Sequence, residues 1–468
     1  MNYANVKFGN ECRDKLIEGV NLVADAVACT YGPNGRNVII RTPGGVKITK
    51  DGYNVASMVN DQDPYIMMGV EIIQDICKKT AKDVGDGTST SAILARAIVN
   101  KYKDCEDPIQ VTRDLSTFTD KVISYLEEYK LNVKSKEDLV KVAALSANND
   151  QTIGNLIADA FDKVGKDGIV TFEESEDVKD RVEYTEGFRI DNGFSSPYFI
   201  NTSKGTCELE NVLVYISETK MEELNDVVKL ADRAVKEKRS LLLLAPEFDS
   251  EILVFLSSNT NLLKSCTVIS PNHRNFREIM LKDMRALLGT SSVCKRVSIT
   301  KDHTTFMGCD SDQEEVAKRV EEIRNTLRDS RLGDIELEFY KKRLANFTSG
   351  IATIYVGGYS KVEAKERYDR IEDAVCATQA ALDGGILPGG GVMLREVAEA
   401  LFKQDPSFYE VLKTPSNLLH TEKNSPKEMF DNGVIEPFLV TKTVLQNAVS
   451  TASLILTADA AVLNMITF

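Results

Sequence analysis

The spacing of apolar residues near the start of the chain predicts a long amphipathic helix. These residues recur at intervals of four, three and four positions, at Leu16, Val20, Val23 and Val27. Such a repeat places them along one face of a helix over residues 10–30. We expect the helix to end at the run Tyr31-Gly-Pro-Asn-Gly35, because glycine and proline interrupt helices.

Two short apolar runs after this helix predict a β-hairpin. They cover residues 37–40 and 46–49, and Pro43 and Gly44 lie in the turn between them. An isolated hairpin is only marginally stable in water. This hairpin therefore needs a partner sheet, either in its own chain or in a neighbouring chain.

The hydrophobic pattern changes character twice along the chain. Helical periodicity comes first, in segments 67–79, 92–102, 112–129 and 136–147. Strand-length apolar runs at 212–217, 240–244 and 267–270 then alternate with helix-length segments at 221–238, 250–263 and 275–288. Helices return at 362–382, 392–401 and 441–465. This order predicts an α/β domain inserted into a mainly α part, with linkers near Gly187 and Gly357-Gly358.

Length and charge narrow the class of protein. The chain has 468 residues, enough for about three domains, and a net charge of −14. Because an acidic protein repels phosphate backbones, we expect no nucleic-acid partner. The apolar stretches 241–245 and 448–466 are too short or too polar to span a bilayer, and the first residues lack a signal-peptide pattern. We therefore expect a cytoplasmic protein with no membrane partner.

The cysteines are scattered, and no two have Cys-x-x-Cys spacing. They are Cys12, Cys29, Cys77, Cys105, Cys207, Cys266, Cys294, Cys309 and Cys376. This distribution argues against a structural zinc site and against a disulfide framework. We expect reduced thiols in a reducing compartment.

The strongest chemical signal is the run Gly85-Asp-Gly-Thr-Ser-Thr90, directly before a predicted helix. Glycines let the backbone turn tightly, and hydroxyl groups beside the free N–H groups of a helix N-terminus suit a phosphate. Asp86, in the middle of such an anion site, requires a bridging cation, and Mg²⁺ fits this role. The alternative interpretation is a simple turn followed by a helix N-cap.

Other glycine and carboxylate clusters suit the same chemistry. They are Thr30-Tyr-Gly-Pro33, Thr49-Lys-Asp-Gly52, Arg370-Ile-Glu-Asp373 and Gly389-Gly-Gly391. Each alone is more commonly a solvated turn or a surface charge on a helix. Together they supply a phosphate cradle, a metal-binding acid and a water-orienting acid, which phosphoryl transfer needs. The chain contains no Walker A motif, so any nucleotide site uses another fold.

In their order along the chain, these motifs resemble those of GroEL-type, group I chaperonins. The match includes Ser146-Ala-Asn148, Ser196-Pro-Tyr-Phe-Ile-Asn201 and Gly433-Val-Ile435, and it extends from Val6 to about Ala460. The resemblance implies an ATP-dependent chaperone, an ATPase that captures non-native polypeptides in a ring cycle. It implies a multidomain α and α/β fold: a mainly α equatorial ATPase domain (1–132 and 386–468), a small intermediate domain (133–186 and 358–385) and an inserted α/β apical domain (187–357).

The resemblance also implies the residues that contact ATP. They are Thr30, Tyr31, Gly32, Pro33, Lys50, Asp86, Gly87, Thr88, Ser89, Thr90, Gly390 and Glu436. Asp86 would also ligate Mg²⁺, and K⁺ is a further candidate ion. Asp373 would activate the attacking water after a domain swing, and Asp51 would assist at the γ-phosphate. Glu436 departs from the family, which usually has aspartate at this position.

Sites for clients and for neighbouring subunits follow from the same resemblance. The substrate-binding residues would be Phe194, Tyr198, Phe199, Leu253 and Leu256. Leu253 and Leu256 would form an exposed ridge on helix 250–263, opposite a groove wall formed by helix 275–288, and core packing is the alternative. The hairpin would add to the sheet of a neighbouring subunit in a seven-membered ring.

Two departures from the family pattern leave parts of this interpretation open. The segment between Gly391 and Gly433, which supplies part of the adenine pocket and of the contact between rings, is shorter than in typical members. A single ring and an unusual double ring both fit. Pro271-Asn-His-Arg274 replaces the usual Pro-Gly-Phe-Gly, so docking of a cochaperonin is open. Such divergence suits a virus-encoded or otherwise specialised member. The alternative function is a ring-forming polypeptide-binding scaffold with little ATP turnover.

Overall fold

A computed structural model describes residues 5–32, 34–42, 45–165, 168–175, 177–202, 205–270, 276–289, 291–327, 334–348, 350–403 and 405–463. The chain divides into two units. Unit 1 comprises Met1–Asp159, Glu174–Asp180 and Val356–Phe468, and unit 2 comprises Ala160–Glu173 and Arg181–Tyr355. One unit is therefore inserted into the other, as the pattern predicts. The finer division into three domains stays a prediction.

Helices and strands are numbered in chain order. The helices are α1 (Gly9–Ala28), α2 (Gly52–Met58), α3 (Pro64–Val84), α4 (Thr88–Tyr102), α5 (Pro108–Tyr129), α6 (Lys136–Ser146), α7 (Gln151–Val164), α8 (Leu224–Lys236), α9 (Ser250–Ser258), α10 (Arg277–Leu288), α11 (Gln313–Leu327), α12 (Asp334–Thr348), α13 (Lys361–Gly384), α14 (Val392–Leu401), α15 (Pro406–Leu418), α16 (Pro426–Asp431) and α17 (Phe438–Leu456). The strands are β1 (Asn5–Phe8), β2 (Val38–Thr42), β3 (Gly45–Thr49), β4 (Ile169–Glu174), β5 (Arg181–Ile190), β6 (Cys207–Ile216), β7 (Ser240–Ala245), β8 (Ser265–Ile269), β9 (Val293–Ile299), β10 (Thr304–Cys309), β11 (Gly350–Val356), β12 (Ile386–Pro388), β13 (Ile435–Pro437) and β14 (Ala460–Leu463). A 3₁₀ turn covers Pro197–Phe199.

The helices of unit 1 pack around a large buried hydrophobic core. The predicted apolar stripe of α1 is buried in it, and α3, α4, α5 and α17 contribute the other faces. Glycines let α1 and α3 approach closely, since a Cβ at Gly19 would overlap the backbone of Gly69 and Val70. Packing in this core therefore fixes the positions of the helix ends that carry the candidate motifs.

Two small sheets of unit 1 differ in how well the local sequence pattern predicts them. Strands β2 and β3 pair as the predicted antiparallel hairpin, with Val38 opposite Thr49, and the turn residues Pro43 and Gly44 lie outside the described residues. The helix predicted over 441–465 is wrong at its end. It stops at Leu456, and β14 pairs with β1, because a distant strand offers residues 460–463 a ladder of hydrogen bonds.

Unit 2 contains an eight-stranded mixed sheet in the order β4-β11-β5-β10-β9-β6-β7-β8. Strands β6, β7 and β8 are parallel neighbours joined through α8 and α9, whereas β6, β9, β10, β5 and β11 pair antiparallel. Strand β7 is buried along its whole length, as expected for a parallel strand covered on both faces. The predicted α/β character of this segment is confirmed.

The prediction that all cysteines are free thiols is wrong for one pair. Cys294 and Cys309 lie opposite each other on β9 and β10 and form a disulfide, with a Cα–Cα distance of 4.1 Å. Their separation of 15 residues in sequence gave no signal, because only the strand register brings them together. The structure also describes seven free cysteines. Within the described ranges, no helix is both long and apolar enough to cross a membrane.

Candidate functional site

The loop between α3 and α4 has the geometry of an anion site. Gly85 ends α3 with φ +71° and Gly87 precedes α4 with φ +82°, two left-handed conformations that favour glycine. Because Gly87 has no side chain to cap α4, the first N–H groups of this helix are left for a ligand. Added Cβ atoms at these glycines would meet Cys376 of α13 and Val440 of α17, so both helices enclose the loop.

Asp86 stands at the centre of this loop. One carboxylate oxygen accepts the N–H of Gly87 at 2.5 Å, and the other accepts the hydroxyl of Ser146, at the end of α6, at 2.7 Å. Its negative charge also helps to raise the pKa of surrounding groups, in each case after burial as the main cause; these groups are Tyr31, Asp373, Cys376 and Glu436. Asp86 is therefore the common neighbour of the whole cluster.

The motif at the end of α1 lies across the start of α4. The hydroxyl of Thr90 donates to the phenol oxygen of Tyr31 at 3.2 Å. Thr30 is buried, and its hydroxyl donates to the carbonyl of Val27 at 2.8 Å. This hydrogen bond caps the end of α1 and occupies the hydroxyl proton. Gly32 has φ +72° and packs against Leu419, whereas Pro33 lies outside the described residues.

The turn between β3 and α2 places a second carboxylate beside the loop. Asp51 is the N-cap of α2 and accepts the N–H groups of Tyr53 and Asn54 at 3.1 and 2.8 Å. Burial raises its pKa, and the charge of Asp369 adds to the rise, while the backbone hydrogen bonds oppose it. A Cβ at Gly52 would meet the hydroxyl of Ser89, so this turn and the start of α4 are in contact. Lys50 is exposed.

Helix α13 brings Asp373 to the same place. Burial holds the pKa of Asp373 well above its usual range, and the charges of Asp51 and Asp86, followed by those of Glu372 and Asp369, raise it further. One turn earlier, Asp369 pairs with Lys365 at 2.8 Å and accepts Asn54 Nδ2 at 3.4 Å. The structure thus unites two carboxylates that are more than 300 residues apart in sequence with a third in the loop.

The short sheet β12–β13 closes the remaining side. It sets Glu436 opposite Leu387, next to the glycines that follow Pro388. Burial raises the pKa of Glu436 to about 7, partly offset by the Thr441 hydroxyl, which donates to the carboxylate at 2.9 Å, and by a backbone hydrogen bond from Gly390. Gly390 and Gly391, with φ +76° and +72°, lead into α14. The site therefore combines N–H donors, hydroxyls and four carboxylates within unit 1.

Comparison with known proteins shows to which family this arrangement belongs. A model of the TCP-1/cpn60 chaperonin family matches residues 23–240 and 260–414. A Caenorhabditis elegans protein described as chaperonin homolog Hsp-60, mitochondrial, is 34% identical over 520 residues, which cover 98% of this chain and 91% of that protein. The chain belongs to the TCP-1/cpn60 chaperonin family. The predicted family is confirmed, and with it the predicted function: this chaperonin is an ATP-dependent chaperone that binds and hydrolyses ATP.

Solved chaperonin structures share the fold. Two crystal structures of the chaperonin gp146 from bacteriophage EL, both in the presence of ATP-BeFx, match with TM-scores of 0.75 and 0.68. Their sequence identities to this chaperonin are 21% and 22%, and each comparison covers 98% of this chain and 99% of the other. The predicted fold class, multidomain α and α/β with an inserted α/β part, is confirmed. As a member of the family, the protein forms rings and binds client polypeptides.

Some residues of the chaperonin site were missed from the sequence. Ser146 belongs to a motif that was recognised, but nothing in the sequence indicated that its hydroxyl donates to Asp86. Asp369 carried a weak signal, because it lies four residues before Asp373 and so on the same face of a helix. Asn54, which bonds both Asp51 and Asp369, had none.

The expected client-binding residues of the chaperonin are mostly covered. Tyr198 is 81% exposed, but Phe199 and Leu256 are buried at 3% and 2%, and Phe194 and Leu253 pack against the core of unit 2. The predicted exposed ridge is therefore wrong at Leu256, which α9 turns into the core, whereas Leu253 is half-buried and its contact with clients stays a prediction. Helix α9 lies beside α8, and the predicted groove wall on helix 275–288 stays a prediction. Residues 271–274 lie outside the described residues.

Proposed function

We propose that this chaperonin binds ATP in the crevice lined by the loop Gly85–Gly87, Tyr31, the turn at Asp51, α13 and the Gly390–Glu436 pair. The N–H groups at the start of α4 and the hydroxyls of Ser89 and Thr90 bind phosphate oxygens, and Gly32 and Gly390 approach the ribose and base. The observation that carries the proposal is the convergence on Asp86 of groups from four separate segments, those of Tyr31, Ser146, α13 and Glu436.

The donor set of the crevice fits a magnesium ion that is held mainly by the nucleotide. Among the described residues, no group of three or more histidine, cysteine, aspartate or glutamate side chains could hold a metal by itself. Mg²⁺ commonly uses one or two carboxylates together with phosphate oxygens, and Asp86 supplies such a carboxylate. When bound, the ion would neutralise charge on the phosphates. K⁺ is proposed only as a second ion of the same crevice.

Asp373 is proposed as the group that orients and deprotonates the attacking water. Burial and the charges of Asp51 and Asp86 raise the pKa of Asp373, which makes its carboxylate a stronger base than an ordinary aspartate. Asp51 faces the same space, but its carboxylate already accepts backbone N–H groups. Asp51 therefore acts by position and charge at the γ-phosphate rather than as a base.

The direct test of the proposed site is phosphate release by the assembled protein. We expect steady-state release from ATP that requires Mg²⁺ and stops when EDTA removes it, because Asp86 and the phosphates are all negatively charged and need the cation between them. Release that continues unchanged in EDTA would contradict the proposed metal. The absence of release from assembled rings, with Mg²⁺ present, would favour a polypeptide-binding scaffold.

We also propose a seven-membered ring in which the β2–β3 hairpin pairs with a neighbouring subunit. The hairpin exposes large apolar side chains: Ile39 is 71%, Val46 68% and Ile48 51% exposed. Among the described strands, β1 and β14 pair only with each other, and Phe8 and Val462 are exposed, so this sheet is a suitable acceptor for an added strand. Pairing between the two would cover both.

The domain roles and the cellular location are also proposed from the resemblance to the family. Unit 1 corresponds to the equatorial and intermediate parts, and most of unit 2 to the apical part. We propose a cytoplasmic location. The free thiols support a reducing compartment, whereas the paired Cys294 and Cys309 do not.

Client capture should depend on exposed apolar residues of unit 2. Tyr198 is 81% and Val254, on α9, is 63% exposed. We expect the double variant Tyr198→Ser and Val254→Ser to reduce binding of an unfolded polypeptide by about tenfold or more, since each large apolar side chain contributes roughly 1.5–3 kcal/mol when buried. ATP hydrolysis should not change.

The matched control for client capture is Tyr359→Ser, which removes a tyrosine that is 85% exposed on unit 1. This variant should bind the unfolded polypeptide as the unaltered protein does. Equal binding by all three proteins, measured by light scattering of an aggregating client, would place the client site elsewhere.

A further inference from the structure

The loop between α15 and α16 forms one wall of the proposed nucleotide pocket. Leu419 packs against Gly32, and Thr421 and Met429 would meet a Cβ added at Gly390. The Thr421 hydroxyl donates to the carbonyl of Gly390 at 2.7 Å. The shortened segment between Gly391 and Gly433 therefore still reaches both glycines that are proposed to approach the ribose and base.

Few apolar contacts hold this wall in place. Residues 417, 418, 420, 422, 423 and 425 are exposed, and His420 adopts a left-handed conformation with φ +56°. A polar, exposed segment of this kind opens easily unless specific hydrogen bonds hold it. The position of the wall must therefore come from the bonds that its backbone makes with the rest of unit 1.

Arg395, on the second turn of α14, supplies these bonds. Its guanidinium donates to the carbonyl of Thr421 at 2.7 Å and to the carbonyl of Asn424 at 2.6 Å. The side chain is only 8% exposed. The buried Arg343 is paired with the carboxylate of Asp283, whereas the described partners of Arg395 are carbonyls of this one loop. Because the described hydrogen bonds of the buried Arg395 guanidinium all go to carbonyls of this loop, the arginine fixes the position of the loop.

The start of α14 connects this arginine to the pocket. Gly390 and Gly391 directly precede the helix, and Gly391 packs against Ser416 and Pro415 at the beginning of the wall. The hydroxyls of Ser416 and Thr421 lie 2.9 Å apart. The glycines thus lie directly before α14 and Arg395 lies one turn into it, so both sides of the pocket share a single support.

We infer that Arg395 is a positioning residue for the nucleotide, which holds the wall 419–425 against Gly390 and thereby sets the affinity for ATP. The inference rests on the proposed nucleotide site and deepens it. Arg395 touches neither the reacting atoms nor the proposed metal ligand. Its loss should therefore change binding and leave the chemical step nearly unaltered.

The test compares Arg395→Met with Arg395→Lys in the assembled protein. Methionine keeps the apolar stem and removes both donors, so the Kd for ADP with Mg²⁺ and the KM for ATP should rise about ten- to a hundredfold, since hydrogen bonds from a charged group are strong. The kcat should stay within about threefold. Lysine can reach one carbonyl and should recover part of the lost affinity. Lys427→Met, an exposed cation of the same segment, should leave Kd unchanged.

Thr421→Val decides the question if Arg395→Met does not fold. It removes the hydroxyl bonds of Thr421 to Gly390 and to Ser416, leaves Arg395 in place and should raise Kd in the same direction. Unchanged Kd in Arg395→Met, or a parallel loss of kcat, affinity and thermal stability that lysine does not rescue, would overturn the inference. If the unaltered protein fails to bind ADP with Mg²⁺, the proposed nucleotide site itself is wrong, and the inference falls with it.

Discussion

Replacing Asp373 with asparagine should slow ATP hydrolysis by about 10²- to 10⁴-fold, which is the usual contribution of a general base and corresponds to about 2.7–5.4 kcal/mol. Affinity for ATP should stay the same or increase, because the change removes one negative charge from a crevice that already holds Asp51 and Asp86. Single-turnover hydrolysis, together with direct measurement of nucleotide binding, separates the two effects. Asparagine keeps the shape of the side chain, so packing of α13 is preserved.

Asp369→Asn is the matched control for this experiment. Asp369 lies one turn earlier on α13, and its charge also raises the pKa of Asp373, but its carboxylate is already paired with Lys365. We expect a change in kcat of less than about tenfold, as for a residue that acts through electrostatics alone. An equal loss in both variants would show that Asp373 contributes only charge. A parallel loss of binding and hydrolysis in Asp373→Asn would remove it from the role of base.

Replacing Asp86 with asparagine should abolish the contribution of Mg²⁺ to ATP binding. We expect the affinity measured with Mg²⁺ to fall about a hundredfold or more, to the value measured in EDTA, because the protein's proposed ligand to the ion is lost. Isothermal titration with and without EDTA measures this difference. An affinity that still depends on Mg²⁺ would place the ion on another carboxylate.

A fold defect can be distinguished from this loss of binding. Asp86 raises the pKa of Glu436 and Asp373, so its removal relieves repulsion, and the free Asp86→Asn protein should melt at the same or a higher temperature at neutral pH. Ser146→Ala removes only the hydroxyl bond to Asp86 and should weaken binding about tenfold, as outer partners of metal ligands do. A lower melting temperature in Asp86→Asn would indicate a structural role.

The pH dependence of the protein's stability follows from the same buried carboxylates. The pKa of Glu436 is raised to about 7, so the folded protein retains a proton that the unfolded chain releases at its ordinary, lower pKa. Stability from this group is therefore fully present below the unfolded pKa and is lost as the pH rises through about 7. Above a pH of about 7, Glu436 is ionised and can act as a carboxylate, but its buried charge then makes the folded protein less stable. Such a cost in stability is common for functional residues.

Motifs in which function depends on the backbone could be recognised from the sequence. The loop at Gly85 and Gly87 requires left-handed conformations and a free helix N-terminus, and both requirements leave a local pattern of glycine followed by hydroxyl residues. The same holds for the N-cap Asp51. For these residues the geometry is decided within a few positions of chain, so local sequence is sufficient.

Exposure of apolar side chains could not be predicted in this way. A helix with consecutive apolar residues, such as α9, has no single polar face, so the pattern does not tell which side contacts the sheet. The structure turns Ile252 and Leu256 inwards and leaves Val254 outside. For this reason the predicted exposed ridge is wrong at Leu256. The prediction that the segment belongs to the α/β part is confirmed.

The sequence by itself determined the order of helical and α/β segments, the hairpin, the phosphate loop and the family. These depend on periodicity, on glycine conformations and on motif order, all of which are local or linear properties of the chain. Only the tertiary structure decided that Ser146 bonds Asp86, that Asn54 bonds both Asp51 and Asp369, that Cys294 faces Cys309 and that Arg395 donates to the carbonyls of Thr421 and Asn424. Each of these contacts joins different helices, strands or loops, and their distance is set by how these elements pack against one another.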